Sequence, residues 1–277
     1  MSLKDVAKET LRILDEARYE APSGRIVELT RELQAAVDGT VLYTPEQLRR
    51  LLKVKTTRTS GPPALEVTDE TTQVAAHRLV VKEGCADLAL LNFASARNPG
   101  GGFINGAKAQ EEDLARCSGL YPCLLTQQGY YEVNRCEPSL LYTDHMIYSP
   151  QVPWFRTLSR DLLEEVFLAS VITAPAPNAG QVLRRNPGSL PQIDETLRRR
   201  AGKVLAVARD RGHRTLLLGA WGCGVFQNNP HSVADAFGKW LKSPTFNGTF
   251  DRVTFAVFDH TQDRGTLRAF QERLIAS

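Results

Sequence analysis

Apolar positions keep one period up to about residue 53 and another beyond it. In the first stretch they recur at helical spacing. Val6, Thr10, Ile13 and Leu14 fall on one face, and Ile26, Leu29, Leu33 and Val37 repeat the pattern before Gly39, a natural helix stop. Thr44-Pro45 reads as an N-cap followed by proline at the first helical position, opening a helix to about Lys53. The segment 55–63 is polar, ends in Gly61-Pro62-Pro63 and predicts a junction. After it, strands and helices alternate. The pattern predicts a strand at 64–68, a helix at 72–82 and a strand at 87–94, where Leu88-Ala89-Leu90-Leu91 has the continuous apolar character of a strand covered on both faces. A helix follows at 111–127, which Pro122 must bend or split. Strands at 145–149, 168–173, 215–218 and 253–258 alternate with helices at 190–211, 230–241 and 265–275. The alternation predicts an α/β sandwich with a largely parallel central sheet and helices on both faces. Two units are expected, a helical N-terminal extension over residues 1–60 and an α/β domain over 61–277.

Composition narrows the function classes. A chain of 277 residues with 42% hydrophobic content holds one large domain, or one domain with an extension. A net charge of +3 is too mild for a duplex-DNA protein, but suits an anionic small ligand held by backbone donors. No apolar run reaches the roughly 18–20 residues that cross a bilayer, and residues 1–16 lack the apolar stretch of a signal peptide. Five cysteines, Cys85, Cys117, Cys123, Cys136 and Cys223, form no C-x-x-C pair. They read as reduced thiols of a cytoplasmic protein, with Cys117, Cys123 and Cys136 buried. The five histidines are scattered, so no metal site is expected and no cofactor is implied.

Three segments could carry chemistry. The stretch from Asn98-Pro99-Gly100-Gly101-Gly102 to Asn105 follows the buried strand and precedes a helix, at the strand end where open α/β sheets bind ligands. Three successive glycines let backbone amides approach a ligand closely. Taken alone, a glycine triplet is more often a flexible turn. The second segment, Gly219-Ala220-Trp221-Gly222-Cys223-Gly224-Val225-Phe226, also follows a buried strand, and two such loops could hold the two phosphates of a diphosphate. Neither matches a nucleotide-triphosphate loop. The third is Gln110-Glu111-Glu112. Adjacent residues on a helix point about 100° apart, so the two carboxylates are expected to take separate roles rather than flank one bond. Acidic residues also favour the first turn of any helix. A helix N-terminus lowers a carboxyl pKa whereas a general acid needs a raised one, so burial or a nearby phosphate must outweigh the dipole.

The glycine triplet followed by Gln110-Glu111-Glu112, with Asn92-Phe93-Ala94-Ser95-Ala96 before it, resembles the motifs of the short bacterial type of poly(ADP-ribose) glycohydrolases. The second glycine loop is similar to the diphosphate loop of that group. The resemblance covers roughly residues 64–277. It implies a macrodomain-like three-layer α/β/α sandwich with a mixed central sheet, and hydrolysis of poly(ADP-ribose) to ADP-ribose. It further implies Glu112 as the catalytic residue, Glu111 on ribose hydroxyls and Gln110 holding the carboxylates. Gly100, Gly101 and Gly102 would lie near the distal ribose and diphosphate, with Asn98 and Asn105 as ribose contacts. Gly222, Cys223, Gly224 and Val225 would cradle the diphosphate, and Phe226 would pack on the distal ribose. By position, Thr68, Asp69, Glu70 and Thr71 are candidates for the adenine end. The expected partners are poly(ADP-ribose), ADP-ribose and ADP-ribosylated proteins, met by a monomer away from membranes.

Three other readings stay open on the residues. A reader of ADP-ribose needs the loops but no buried acid. A hydrolase of single ADP-ribose units would share the fold. A single-strand nucleic-acid binder would use Trp154, Phe155 and Arg156 with Arg198-Arg199-Arg200 and Lys203, residues that equally fit core packing and a solvated helix face. His260 is expected to be structural.

Overall fold

The computed structural model of the chain describes residues 2–54, 61–157 and 161–275. It opens with helix α1, Leu3–Glu16, started by a reciprocal cap in which Ser2 and Asp5 bond each other's backbone amides. This helix buries Val6, Ala7, Thr10 and Ile13, most of the predicted face. Strands β1, Arg18–Glu20, and β2, Ile26–Glu28, then form a small antiparallel hairpin. Ile26 shares helical spacing with Leu29, Leu33 and Val37 but lies in β2. The turn before it, with Gly24 at a φ of +84°, folds the chain back on itself, so helix α2 spans only Thr30–Asp38. Strand β3, Val41–Tyr43, follows, and Thr44 caps helix α3, Pro45–Lys53, as the Thr-Pro pair predicted. The expected junction falls largely on residues 55–60, outside the described residues.

The next elements are strand β4, Ala64–Thr68; helix α4, Thr72–His77, which ends in a π turn over Arg78–Lys82; and strand β5, Leu88–Phe93. The helix expected at 111–127 is two helices, α5, Gln110–Cys117, and α6, Leu120–Leu125. Pro122 is not the break. It sits in the first turn of α6, where its missing N–H has no partner to lose. The chain breaks at Ser118-Gly119 instead, where Gly119 donates to the Pro153 carbonyl at 2.8 Å and a side chain would meet Leu33 and Pro153 within 3.1 Å.

Helix α7, Gln128–Cys136, and strands β6, Met146–Arg156, and β7, Leu162–Ala174, complete the middle of the chain. Both strands far exceed the predicted lengths. Pro150 and Pro153 hid the continuation of β6, which passes them through a register shift between Ser149 and Val152 with Gln151 at a φ of +43°. The remainder is helix α8, Ala179–Arg185; helix α9, Leu190–Asp210; strand β8, Thr215–Gly219; helix α10, Pro230–Leu241; strand β9, Arg252–Ala256; and helix α11, Gly265–Leu274.

The central sheet has seven strands in the order β3-β6-β7-β5-β8-β9-β4. The run β7-β5-β8-β9-β4 is parallel, and β6 alone runs against it, pairing antiparallel with β7 on one side and with β3 on the other, which makes the sheet mixed. Alternate residues of β5 face opposite layers. Ala89 and Leu91 pack with α3, α9, α10 and α11, whereas Leu88 and Leu90 pack with α2, α4, α5, α6 and α7. This is the expected three-layer sandwich. The first 53 residues are knitted into it, since β3 is an edge strand of the sheet and Leu48 of α3 is fully buried in the larger core.

The core-packing reading of Trp154 and Phe155 holds, and two surface expectations change. Trp154 and Phe155 are core residues, and Arg156 is buried against Glu9 and Thr10. Of the arginine run, Arg200 is buried and with Lys203 clamps buried Asp144. These residues offer no stacking platform. Cys136, expected to be buried, is exposed, while Cys117 and Cys123 are buried. Its place at the end of α7, past the buried Tyr130, Tyr131 and Asn134, takes it out of the core. Among the described residues no helix is long and apolar enough to cross a membrane.

Candidate active site

The Gln110-Glu111-Glu112 segment begins α5 at the carboxyl end of β5, and Gln110 fastens it there. Its side-chain carbonyl accepts from the Phe93 amide at 2.8 Å, and its amide donates to the Leu91 carbonyl at 2.8 Å and to Thr72 Oγ1 at 3.2 Å. One glutamine thus satisfies two backbone groups at the strand end and ties the start of α5 to α4. Glu111, 2% exposed, turns back on the strand. Its two oxygens accept from Asn92 Nδ2 at 3.1 Å and from the Ser95 amide at 2.7 Å. Burial pushes its carboxyl up to about 8, against the lowering effect of those two donors and with a further push from the neighbouring Glu112. The carboxyl that burial raises is therefore that of Glu111.

Glu112 points the other way, into the first glycine loop, where its Oε1 accepts from the Gly102 amide at 3.0 Å. No hydrogen bond engages its other oxygen among the described residues. The carboxylates diverge as helical geometry requires, yet both border Gly101. A Cβ there would overlap Glu112 Oε1 and sit 3.3 Å from Glu111 Oε2, and the φ of +58° is itself a glycine conformation. The loop is a tight structure rather than a flexible turn: Gly101 donates to the Asn98 carbonyl at 3.0 Å, and a 3-10 turn over Phe103–Asn105 follows.

Helix α1 braces this loop from outside. Ala7 and Leu11 pack with Phe103, Ala115 and Tyr121. A side chain at Gly106, φ +80°, would meet Lys4 Cγ at 2.9 Å. Thr10 donates to the Arg116 carbonyl at 2.8 Å, and fully buried Arg116 reaches the Ala107 carbonyl at 2.9 Å. The N-terminal helix, the glycine loop and the helix bearing both carboxylates are thus one packed unit.

The second loop leaves β8 at Gly219, where a side chain would collide with the Ala256 carbonyl of β9. Trp221 is buried and donates to the Ala174 carbonyl at 3.1 Å. Gly222 has a φ of +72°, and a Cβ there would meet Ala176 and Asn228 at 2.5 Å. Asn228 closes the loop by donating to the carbonyls of Pro177 at 2.8 Å and Gly222 at 3.0 Å. Between these anchors, the amides of Gly224, Val225 and Phe226 donate to no backbone carbonyl among the described residues. Val225 is 77% exposed. Successive free amides of this kind form a concavity suited to an anion. Phe226 packs against the larger core, and its ring lies 6.1 Å from that of Tyr142, a residue at a φ of +59°.

The structure brings most of the predicted residues to adjacent strand ends, since β5 lies between β7 and β8. Asn98 is exposed and joins the first loop through its backbone. No hydrogen bond links the Asn105 side chain to either carboxylate among the described residues. At the β4 end, Asp69 pairs with Arg264 and Glu70 with Arg78, whereas the hydroxyls of Thr68 and Thr71 are buried without hydrogen-bond partners among the described residues. His260 is exposed, with its ring edge-on to Phe258. Among the described residues no three His, Cys, Asp or Glu side chains converge to hold a metal ion. Sequence reasoning missed Asn92, Ser95 and Tyr142. An asparagine inside the continuous apolar run of β5 was a signal, because a polar group buried there needs a polar partner. Tyr142 carried none.

Comparison with known proteins bears on all of this at once. The family model for the catalytic domain of microbial-type poly(ADP-ribose) glycohydrolase matches residues 7–157. Among solved structures, the poly(ADP-ribose) glycohydrolase of Thermomonospora curvata is 46% identical, with a TM-score of 0.93 over 98% of this chain and 99% of that one. The Thermomonospora curvata enzyme bound to the inhibitor ADP-HPD superposes with a TM-score of 0.89 at 45% identity, over 98% of this chain and 99% of that one. The Deinococcus radiodurans enzyme in complex with ADP-ribose is 51% identical, with a TM-score of 0.83 over 88% of this chain and 97% of that one. No curated protein matched. The chain belongs to the microbial-type poly(ADP-ribose) glycohydrolases.

Proposed function

We propose that this glycohydrolase cleaves the ribose–ribose O-glycosidic bond with Glu112 as general acid and then general base. The observation that carries the assignment is the division of labour between the two carboxylates. Glu111 spends both oxygens on Asn92 and Ser95, which suits it to fixing ribose hydroxyls. Glu112 is held through one oxygen by the Gly102 amide, which leaves the other to meet the leaving 2′-oxygen. Departure of that oxygen builds positive charge on the anomeric carbon, which the neighbouring diphosphate offsets. Glu112 donates its proton to the leaving oxygen, and its carboxylate then takes a proton from the attacking water. The free amides of Gly224, Val225 and Phe226, together with Gly222 and Cys223, hold the diphosphate, and Gly100, Gly101 and Gly102 line the distal ribose. Phe226 fixes the ribose between itself and the carboxylates. The five free cysteines support a reducing compartment such as the cytoplasm, and the protein acts as a monomer on poly(ADP-ribose) and ADP-ribosylated proteins.

The test is to mix labelled poly(ADP-ribose) with the wild type and with Glu112→Gln and to resolve the products. Acid–base catalysis contributes about 10²–10⁴-fold, so ADP-ribose release falls by that factor while ADP-ribose affinity stays near wild type. Near-wild-type turnover in the variant defeats the assignment. Binding without release by either protein makes the chain a reader.

A further inference from the structure

We infer that four arginines between the two glycine loops form a second phosphate site, which holds the diphosphate of the adjoining ADP-ribose unit of a polymer. The inference rests on the glycohydrolase reading and extends it beyond the scissile bond. On that reading the terminal unit would lie along the carboxyl ends of the parallel strands, with its distal ribose at β5 and its adenine toward β9 and β4. The other side of β5 in the sheet order, across β7 and β6, is then open to the rest of the polymer.

The arginines trace an arc on that side. Arg97 follows Ser95, whose amide holds Glu111. Arg135, at the end of α7, donates to the Arg97 carbonyl at 3.0 Å. Arg185, at the end of α8, reaches the Pro138 carbonyl at 3.5 Å, two residues past α7. Arg184 donates to the Gly180 carbonyl at 3.0 Å, and the Gly180 amide donates to the Phe226 carbonyl at 3.0 Å. The arc thus begins beside the first glycine loop and ends against the second. All four side chains belong to exposed residues, and none forms an ion pair among the described residues. Several arginines elsewhere are spent on carboxylates, among them Arg78 on Glu70, Arg214 on Asp251 and Arg252 on Glu66. The acidic residues nearest in sequence are Glu132 and Glu137, and Glu137 is turned onto the Ser139 amide at 3.0 Å. An unpaired planar guanidinium is the side chain best shaped for phosphate oxygens, and each unit of poly(ADP-ribose) brings two phosphates.

The experiment compares wild type with Arg97→Glu, Arg135→Glu and Arg185→Glu, singly and combined. Two substrates are used, long labelled poly(ADP-ribose) and a single ADP-ribose carrying a small fluorogenic aryl leaving group. Each is assayed at about 50 and 300 mM salt, either side of the ionic strength where screening reaches only about 8 Å. The expected result for the triple variant is a polymer KM raised about tenfold or more at low salt, with a flatter salt dependence, since each phosphate contact in a single strand adds about 0.7 to the log–log slope. Turnover of the aryl substrate, which never reaches the arc, stays within about twofold, as suits rim charges outside the reacting unit. Equal losses on both substrates, or no change on either, overturn the inference. Should charge reversal unfold the protein, the Arg→Gln series replaces it. If the wild type cleaves neither substrate, the glycohydrolase reading fails by itself. Polymer binding by the same variants then decides, and wild-type affinity in the triple variant overturns the arc.

Discussion

The two glycine loops start alike, each at the carboxyl end of a buried parallel strand, yet they are built to opposite ends. In the first, the glycines are there because side chains already fill the space around them: Glu111 and Glu112 crowd Gly101, Phe103 and Tyr121 crowd Gly100, and Lys4 covers Gly106. In the second, crowding is confined to the anchors at Gly219 and Gly222, and the tip is open, with nothing within 4 Å of a Cβ at Gly224. The first loop positions side-chain chemistry and must be rigid in itself. The second leaves its backbone donors free, as the proposed diphosphate site requires, and needs only fixed ends. Glycine composition alone does not separate a loop that is full from a loop that is empty.

Identical substitutions should separate them. Gly101→Ala places a methyl group against both carboxylates at a positive φ, a backbone penalty of about 1–3 kcal/mol before the clash is counted. It should lower the melting temperature and cut kcat by orders of magnitude. Gly224→Ala should leave the melting temperature unchanged and alter ADP-ribose affinity only slightly. A harmless Gly101→Ala would remove the argument that the first loop is set by its carboxylates. Phe226→Ala comes next. It should lower kcat more than ADP-ribose affinity, because the ring orients the ribose while the amides hold the diphosphate, and equal losses in both would point to a ground-state contact. Thr10→Ala, in α1, strips a buried hydrogen bond from the Arg116 carbonyl and one from Arg156. It should cost about 1–3 kcal/mol of stability, with kcat falling more than ADP-ribose affinity, because the brace touches the carboxylate side only. Chemical denaturation and single-turnover kinetics would check both.

The smallest effect is a pH dependence. The Glu111 carboxyl is raised in the folded state to about 8, from 4.5. A group raised in this way contributes stability that is fully present below its unfolded value and is lost as pH rises through its folded value. Folding stability should therefore decline between about pH 4.5 and 8 on this account. Glu111→Gln, which keeps the shape without the charge, should melt higher than wild type at pH 9 and near it at pH 4. A constant difference across that range would show that burial of this carboxyl is not what sets its ionisation.

Much of the fold was legible because it rests on local rules. Thr44-Pro45 and Asn229-Pro230 marked helix starts that the structure places within a residue, and the apolar run of β5 announced a strand covered on both faces. The errors came where distant contacts overrule local preference. Ile26 follows helical spacing but pairs across a hairpin with Glu20. Pro150 and Pro153 discourage a strand, yet β6 continues through a bulge because β7 lies beside it for its whole length. Arg200 looks like one of three solvated charges until Asp144, from a different segment, is brought beneath it. Thr215, Gly219 and the loop beyond them were readable, whereas Tyr142 against Phe226 was not, because no spacing in the chain relates residues so far apart.

By itself the sequence determined the layer pattern, the two loops and the family, since hydrophobic period, capping residues and short glycine–carboxylate motifs are all local. Only the tertiary structure decided which of the two carboxyls is buried, that α1 braces the first glycine loop, and that Arg97, Arg135, Arg184 and Arg185 have no ion pair among the described residues. Burial and ion pairing depend on which distant segments meet, and a carboxyl is raised, or an arginine left free, only by what surrounds it in space.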